Sequence, residues 1–173
     1  MKKILSIIGT ISLIGTSTTS LVACNKPQEY TKEQLEQLKK ENQINTTNET
    51  IKNNLEWIAP QEKPFNEVDN KWYYVVWRGD KNDKWKIVKF KHSDYLHNTK
   101  YIENNISLKI GKRGVSESIS IFPYDLVVFK PAFYYYWLED NGTYFKSVYR
   151  WSGEEHKLPN LNIDEDGNVK VKE

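Results

Sequence analysis

The sequence predicts a mainly β fold: a single antiparallel β domain over residues 57–173, a sandwich or small barrel, preceded by a short helical tether. Three observations carry this. After Trp57, aromatic and β-branched residues arrive in short runs, the composition that suits a pleated, half-buried surface. Ile106, Leu108 and Ile110 alternate with Ser107 and Lys109, a period of two that buries one face and wets the other. Turn-forming clusters at Gly79–Asp83, Asp140–Gly142 and Asp166–Asn168 separate the runs, and consecutive hairpins imply a meander, sandwich or small barrel.

At the N-terminus, Lys2 and Lys3 precede an apolar run from Ile4 to Ile14, followed by the small and polar stretch Gly15–Ser20. This is the layout of a signal peptide. The run is about half of the ~20 residues needed to cross a ~30 Å hydrocarbon core, which argues against a permanent membrane helix. It ends in Leu21, Val22, Ala23 and Cys24, and Cys24 is the single cysteine of the chain, so an intramolecular disulfide is impossible. These four residues resemble the lipobox of bacterial lipoproteins. The resemblance implies cleavage between Ala23 and Cys24, and diacylglycerol on the Cys24 thiol. Acyl chains bury at ~0.8 kcal/mol per CH₂, so two hold a protein on a membrane where one binds marginally.

The leader MKKILSIIGTISLIGTSTTSLVACNK is similar to those of spiroplasma-type mollicute surface lipoproteins over about the first 26 residues. A composition of 22 Lys against 3 Arg, with 16 Asn, fits AT-rich codons. The resemblance implies a cell without wall or outer membrane, whose lipid-anchored protein faces the host on the extracellular side.

Residues 1–23 form the expected signal peptide and 24–56 a polar, partly helical tether. Thr31 to Gln34 fits a capping box and opens the helix-forming run KEQLEQLKKEN, predicting a helix over 31–42. Leu35 and Leu38 make too narrow an apolar stripe to dock firmly, so a solvated spacer is expected. Ile51, Leu55 and Ile58 recur at helical spacing, where the tether would join the domain. Strands are expected near 71–78, 84–91, 100–110, 117–122, 126–130, 132–139 and 143–151, with a weak pair near 160–172.

Without Lys2 and Lys3, 23 basic residues face 23 acidic ones, and the interspersed charges leave no basic stripe for nucleic acid. Arg78-Gly79-Asp80 matches an integrin-binding tripeptide, but Gly-Asp at a strand end is ordinary turn chemistry. Asp164–Asn168 has oxygen ligands before a glycine, yet lacks the later ligands of a calcium loop and reads as an acidic hairpin turn. His92, His97 and His156 have neither cysteine partners nor tight spacing and read as surface residues, so no metal or cofactor is expected. No phosphate loop, nucleophile elbow or HExxH helix is present. Adjacent Glu139 and Asp140 point to opposite faces of a strand end, a poor layout for paired acid and base work. A non-enzyme is therefore expected.

The aromatic load is the remaining signal. Rings populate both faces of the runs 72–77 and 133–137, so some must be covered by another layer or left exposed. A β domain without disulfides needs bulky rings in its core; exposed Tyr and Trp also suit stacking on sugars or capture of a protein. The contact candidates are Trp72, Tyr74, Trp77, Trp85, Tyr135, Trp137, Tyr149 and Trp151. The function expected is display of a binding or adhesion domain at the cell surface, against a host protein or glycan. The alternatives are an extracytoplasmic enzyme or substrate-binding lipoprotein that handles a glycan or small molecule, and a coat protein without a ligand.

Overall fold

The computed structural model describes residues 29–94, 99–112 and 123–172; the leader with Ala23 and Cys24, His97, and the strand expected at 117–122 lie outside them. The domain is mainly β, as the sequence predicts. It is built on two four-stranded antiparallel sheets that remain open, a sandwich rather than a barrel. Among the described residues no helix is long and apolar enough to cross a membrane.

Helix α1 (Lys32–Glu41) starts where its capping box predicts. Gln34 N donates to Thr31 Oγ1 at 3.3 Å and Thr31 N donates to Gln34 Oε1 at 2.9 Å, satisfying two of the free amides at the helix start. It buries no residue, consistent with its narrow apolar stripe. A second helix, α2 (Glu49–Asn54), is capped by Asn48, whose Oδ1 accepts from Ile51 N. The chain then turns directly into strand β1 (Leu55–Trp57).

The first sheet contains β1, β2 (Trp72–Trp77), β3 (Lys86–Lys91) and β8 (Phe145–Trp151), in the order β1-β8-β2-β3. The second contains β4 (Thr99–Glu103), β5 (Ile106–Lys112), β6 (Tyr124–Lys130) and β7 (Phe133–Tyr136), in that order. A hairpin, β9 (Leu161–Ile163) with β10 (Val169–Val171), closes the chain.

Between the sheets lies the main core. Tyr73, Val75, Trp77 and Val148 of the first sheet meet Leu108, Ile110, Leu126 and Val128 of the second, with Ile58, Phe65 and Trp137 filling the margins. A second core covers the opposite face of the first sheet. There Tyr74, Tyr149 and Trp151 pack against Ile44, Ile51 and Leu55 from the N-terminal side, and against Leu161, Val169 and Val171 of the closing hairpin. Strand β2 is therefore covered on both faces, which is why WYYVVW has no period of two.

This second core corrects the boundary expected at residue 57. The segment assigned to a tether contributes Ile44, Ile51 and Leu55, at 7%, 5% and 4% exposure, and an edge strand paired with β8. Ile51 and Leu55 enter the core where their helical spacing joins the tether to the domain, and Ile44, isolated in a polar stretch, completes the cover over β2 and β8. Lys39 of α1 pairs with Glu56 at 2.5 Å and Glu62 at 2.7 Å, and Glu56 also accepts from Arg150 at 2.9 Å.

Two expected strands are subdivided. The run 100–110 is a hairpin, β4 and β5, turning at Asn104 (φ 49°) and Asn105 (φ 64°); both positive angles are tolerated because Asn readily enters the left-handed region. The run 132–139 stops as a strand at Tyr136, and Trp137–Glu139 form a 3₁₀ turn that swings the Trp137 ring into the core. The Asp125 carboxylate accepts Leu138 N at 2.8 Å and holds that turn.

Candidate binding face

The eight aromatic candidates fall into two groups. Five belong to the cores and are corrected as contact residues. Trp77 and Trp151 are 1% exposed and Tyr74 2%, while Trp137 and Tyr149 are below a tenth. Three of the polar tips are used internally: Tyr74 Oη donates to Pro159 O at 2.8 Å, Tyr149 Oη to Asn42 O at 3.1 Å and Trp151 Nε1 to Glu154 O at 3.0 Å. Burial pushes the Tyr74 hydroxyl up to about 12. Trp77 stands edge-on to Tyr101. Desolvating such rings fills the interior at ~25 cal/mol per Å², and a contact face would forfeit that gain.

Trp72, Trp85 and Tyr135 are half-buried. Lys89 lies over Trp72, and Arg78 lies 4.3 Å above Trp85, which also supports the turn of the closing hairpin at Gly167. Tyr135 stacks on Tyr144 with centroids 4.0 Å apart, beneath the Lys130 ammonium.

The remaining sequence motifs are structural. Arg78 Nε donates to Thr143 O at 2.6 Å, Gly79 packs against Ile106, and Asp80 pairs with Lys130 at 2.6 Å; the tripeptide's charges are engaged within the domain. Asp164–Asn168 is the hairpin turn between β9 and β10, where the Asp164 carboxylate accepts Asn168 N at 2.9 Å. Hydrogen bonds from Asn168 and Lys170 hold that carboxyl well below its ordinary range, at about 2. Asp140 accepts the amides of Gly142, Tyr144 and Phe145 and so shapes the 140–144 turn. His156 is on the surface as expected, whereas His92 is 0% exposed, packed against Phe65 and Tyr73. The surface reading of His92 is thus corrected: Phe65, from the loop before β2, roofs the site, and sequence spacing gives no sign of that.

Among the described residues, the rings most open to solvent lie outside the eight candidates. Phe133 is 59% exposed and Tyr134 56%, both on β7, while Ile102 on β4 is 71% exposed. The register aligns Tyr134 with Phe129 and Tyr136 with Val127, and Lys109 with Val127 and Ser107 with Phe129. Tyr134, Tyr136, Phe129, Val127, Lys109 and Ser107 therefore share the outer face of the second sheet, because opposed residues in a pleated sheet point the same way. Tyr134 and Tyr136 are nearly parallel, 15° apart with centroids separated by 6.4 Å, and Phe129 tilts against Tyr134 at 5.0 Å. The period-two signal that pairs Tyr134 with Tyr136 is present in the sequence. What it lacks is the strand order that places β7 at an edge.

A small cleft of about 190 Å³ adjoins this face, lined by Tyr134–Tyr136, Glu139, Asp140, Asn141, Thr143 and Tyr144. Among the described residues no group of three or more His, Cys, Asp or Glu is arranged to hold a metal ion. In the comparisons with known proteins, no family model, curated protein or solved structure matches the chain.

Proposed function

We propose that this chain is a lipid-anchored cell-surface protein that presents a binding domain, and that the aromatic outer face of β6 and β7 is its contact surface. One observation carries the choice of face: Tyr134 leaves more than half its surface in water on an edge strand, contiguous with Phe129 and Tyr136, while Phe133 is exposed on the opposite pleat of the same edge. Contiguous exposed rings of this kind mark interaction sites more often than scattered surface apolar residues do.

The chain path supports the same reading. Tyr30, near the start of the described domain, is clasped by Gln61, which accepts its amide at 2.6 Å and donates to its carbonyl at 3.0 Å. The 3₁₀ turn holding Gln61 packs near Trp137–Glu139, where β7 ends. From there β7 runs back to its tip at Pro131 and Ala132, so the exposed rings lead away from the end that holds Tyr30. Four residues, Asn25–Gln28, separate Cys24 from Glu29, and these five steps span at most ~18 Å, which makes this direction matter for a domain held at a bilayer.

The test is binding of the leaderless chain, with Cys24→Ser to keep it soluble, to intact host cells. Saturable binding that Tyr134→Ala removes, with the circular dichroism unchanged, is the expected result. Absence of binding at high micromolar concentration would overturn the reading, and self-association through the same face would favour a coat protein.

A further inference from the structure

The outer face of the second sheet carries a cation among its rings. Lys109 projects from the middle of β5, and its Nζ lies 4.0 Å from the centre of the Phe129 ring and 5.8 Å from that of Tyr134. Among the described residues no carboxylate pairs with it. Lys130, over Tyr135 and Tyr144, pairs with Asp80, and Lys86, over Tyr101, pairs with Glu103, whereas Lys89 over Trp72 and Lys112 over Tyr124 resemble Lys109 but lie off the outer face that carries Tyr134. The acid nearest along the same face of β6 is Asp125, four residues from Phe129. It is 7% exposed, and its oxygens accept the amides of Leu126 and Leu138.

A ring face satisfies the apolar C–H side of a pyranose, and a fixed ammonium at its margin satisfies one negative charge. We infer that Lys109, Phe129, Tyr134 and Tyr136 form a subsite for a glycan whose terminal sugar bears a carboxylate. The sugar ring stacks on Tyr134, and its carboxylate takes the Lys109 ammonium. This rests on the contact face proposed above and names its ligand class. A single cation suits a single carboxylate. A polysulfated chain needs a track of basic residues, and on this face Ser107, Val127 and Phe129 occupy the neighbouring positions instead. Cation–π contact holds the ammonium in place without neutralising it, which leaves the charge available to an incoming anion.

The experiment uses the leaderless Cys24→Ser chain and two probes, sialyllactose and lactose, which differ by the carboxylated terminal sugar. Titration is followed by tyrosine fluorescence and by ligand-observed magnetic resonance. The expected result is binding of sialyllactose that exceeds lactose by about tenfold or more, the order set by one charge-assisted hydrogen bond. Lys109→Gln should abolish this preference, Lys109→Arg should retain most of it, and Tyr134→Ala should remove binding of both probes. Equal binding of the two probes, or a preference that survives Lys109→Gln, overturns the subsite while leaving the contact face standing. Binding of neither probe by a chain that still binds host cells through Tyr134 also overturns the glycan inference. Loss of cell binding as well would remove the contact face itself.

Discussion

Trp85 and Gly167 meet ring against backbone: a Cβ added to Gly167 would lie 2.6 Å from Cγ of the Trp85 indole. Gly167 also holds φ at +80°, a conformation that favours glycine. The contact joins the β2–β3 loop to the closing hairpin, and Lys146 Nζ, which donates to Asp166 O at 2.5 Å, fastens the same turn. Gly167→Ala is expected to cost about 2–3 kcal/mol, from left-handed strain of about 1 kcal/mol plus displacement of the indole. Chemical denaturation checks this. In a Trp85→Ala background the penalty should shrink to the backbone component, because the two residues are in contact and their effects are coupled.

Ile44, Ile51 and Leu55 make the folded unit longer than its strand-rich part. Each fully buried aliphatic side chain contributes roughly 1.5–3 kcal/mol against exposure, and domains of this size have only about 5–15 kcal/mol in total. A chain starting at residue 57 is expected to lose the β1 edge and the cover of Tyr149 and Trp151. It should then lack near-ultraviolet dichroism, or aggregate, while a chain starting at residue 29 unfolds in one cooperative step. A cooperative, undiminished transition for the shorter chain would contradict the assignment of the second core.

Much of the fold was legible because local chemistry and tertiary demand agree there. Thr31 and Gln34 announce α1, and the alternation at Ile106–Ile110 announces β5. Asp164–Asn168 reads correctly as a hairpin turn. Legibility failed where one layer decides the fate of another. WYYVVW looks like a ring-rich surface until both its faces are seen to be covered, and Ile44 looks isolated until β8 needs it. Trp137 and Tyr134 are three residues apart with the same apolar character, yet a 3₁₀ turn sends one inward and an edge position leaves the other in water. Alternation separates the two rings in the sequence, but only the strand order β4-β5-β6-β7 shows which of them meets the first sheet.

That distinction is measurable. Trp137→Ala removes a ring packed against Phe65, with centroids 6.1 Å apart, and should cost about 3–5 kcal/mol, the range for deleting a buried aromatic. Tyr134→Ala should shift stability by about 0.5 kcal/mol or less, as exposed positions do. Urea midpoints of the two variants compare them directly. Similar losses would mean that Tyr134 is covered in solution.

Asn104 and Asn105 both adopt positive φ between Glu103 and Ile106, which are paired across the hairpin. A two-residue turn of this hand favours glycine at its second position. Asn105→Gly should therefore raise stability by about 0.5 kcal/mol and Asn105→Val should lower it by about 1–2 kcal/mol, since β-branched residues resist that region. Thermal unfolding midpoints check both signs.

His92 gives the domain a pH-dependent stability of definite sign. Burial holds its pKa below 6.5, and the neighbouring Lys100 charge acts in the same direction while Asp69 and Asp94 oppose it. Between the folded value and 6.5 the unfolded chain binds more protons than the native one, so stability rises with pH across that window. Seen from the other side, the contribution is intact above about 6.5 and is lost progressively as pH falls towards the folded value. The Asp69 carboxylate, 3.6 Å from Nδ1 and accepting Tyr73 Oη at 2.7 Å, lessens the loss without reversing it. The urea midpoint is expected to stay level from pH 8 to 7 and to drop below 6.5. His92→Phe, which keeps the ring contacts with Phe65 and Tyr73 but cannot take a proton, should flatten the profile between pH 6.5 and 5. If the slope in that interval is unchanged in the variant, another group carries it.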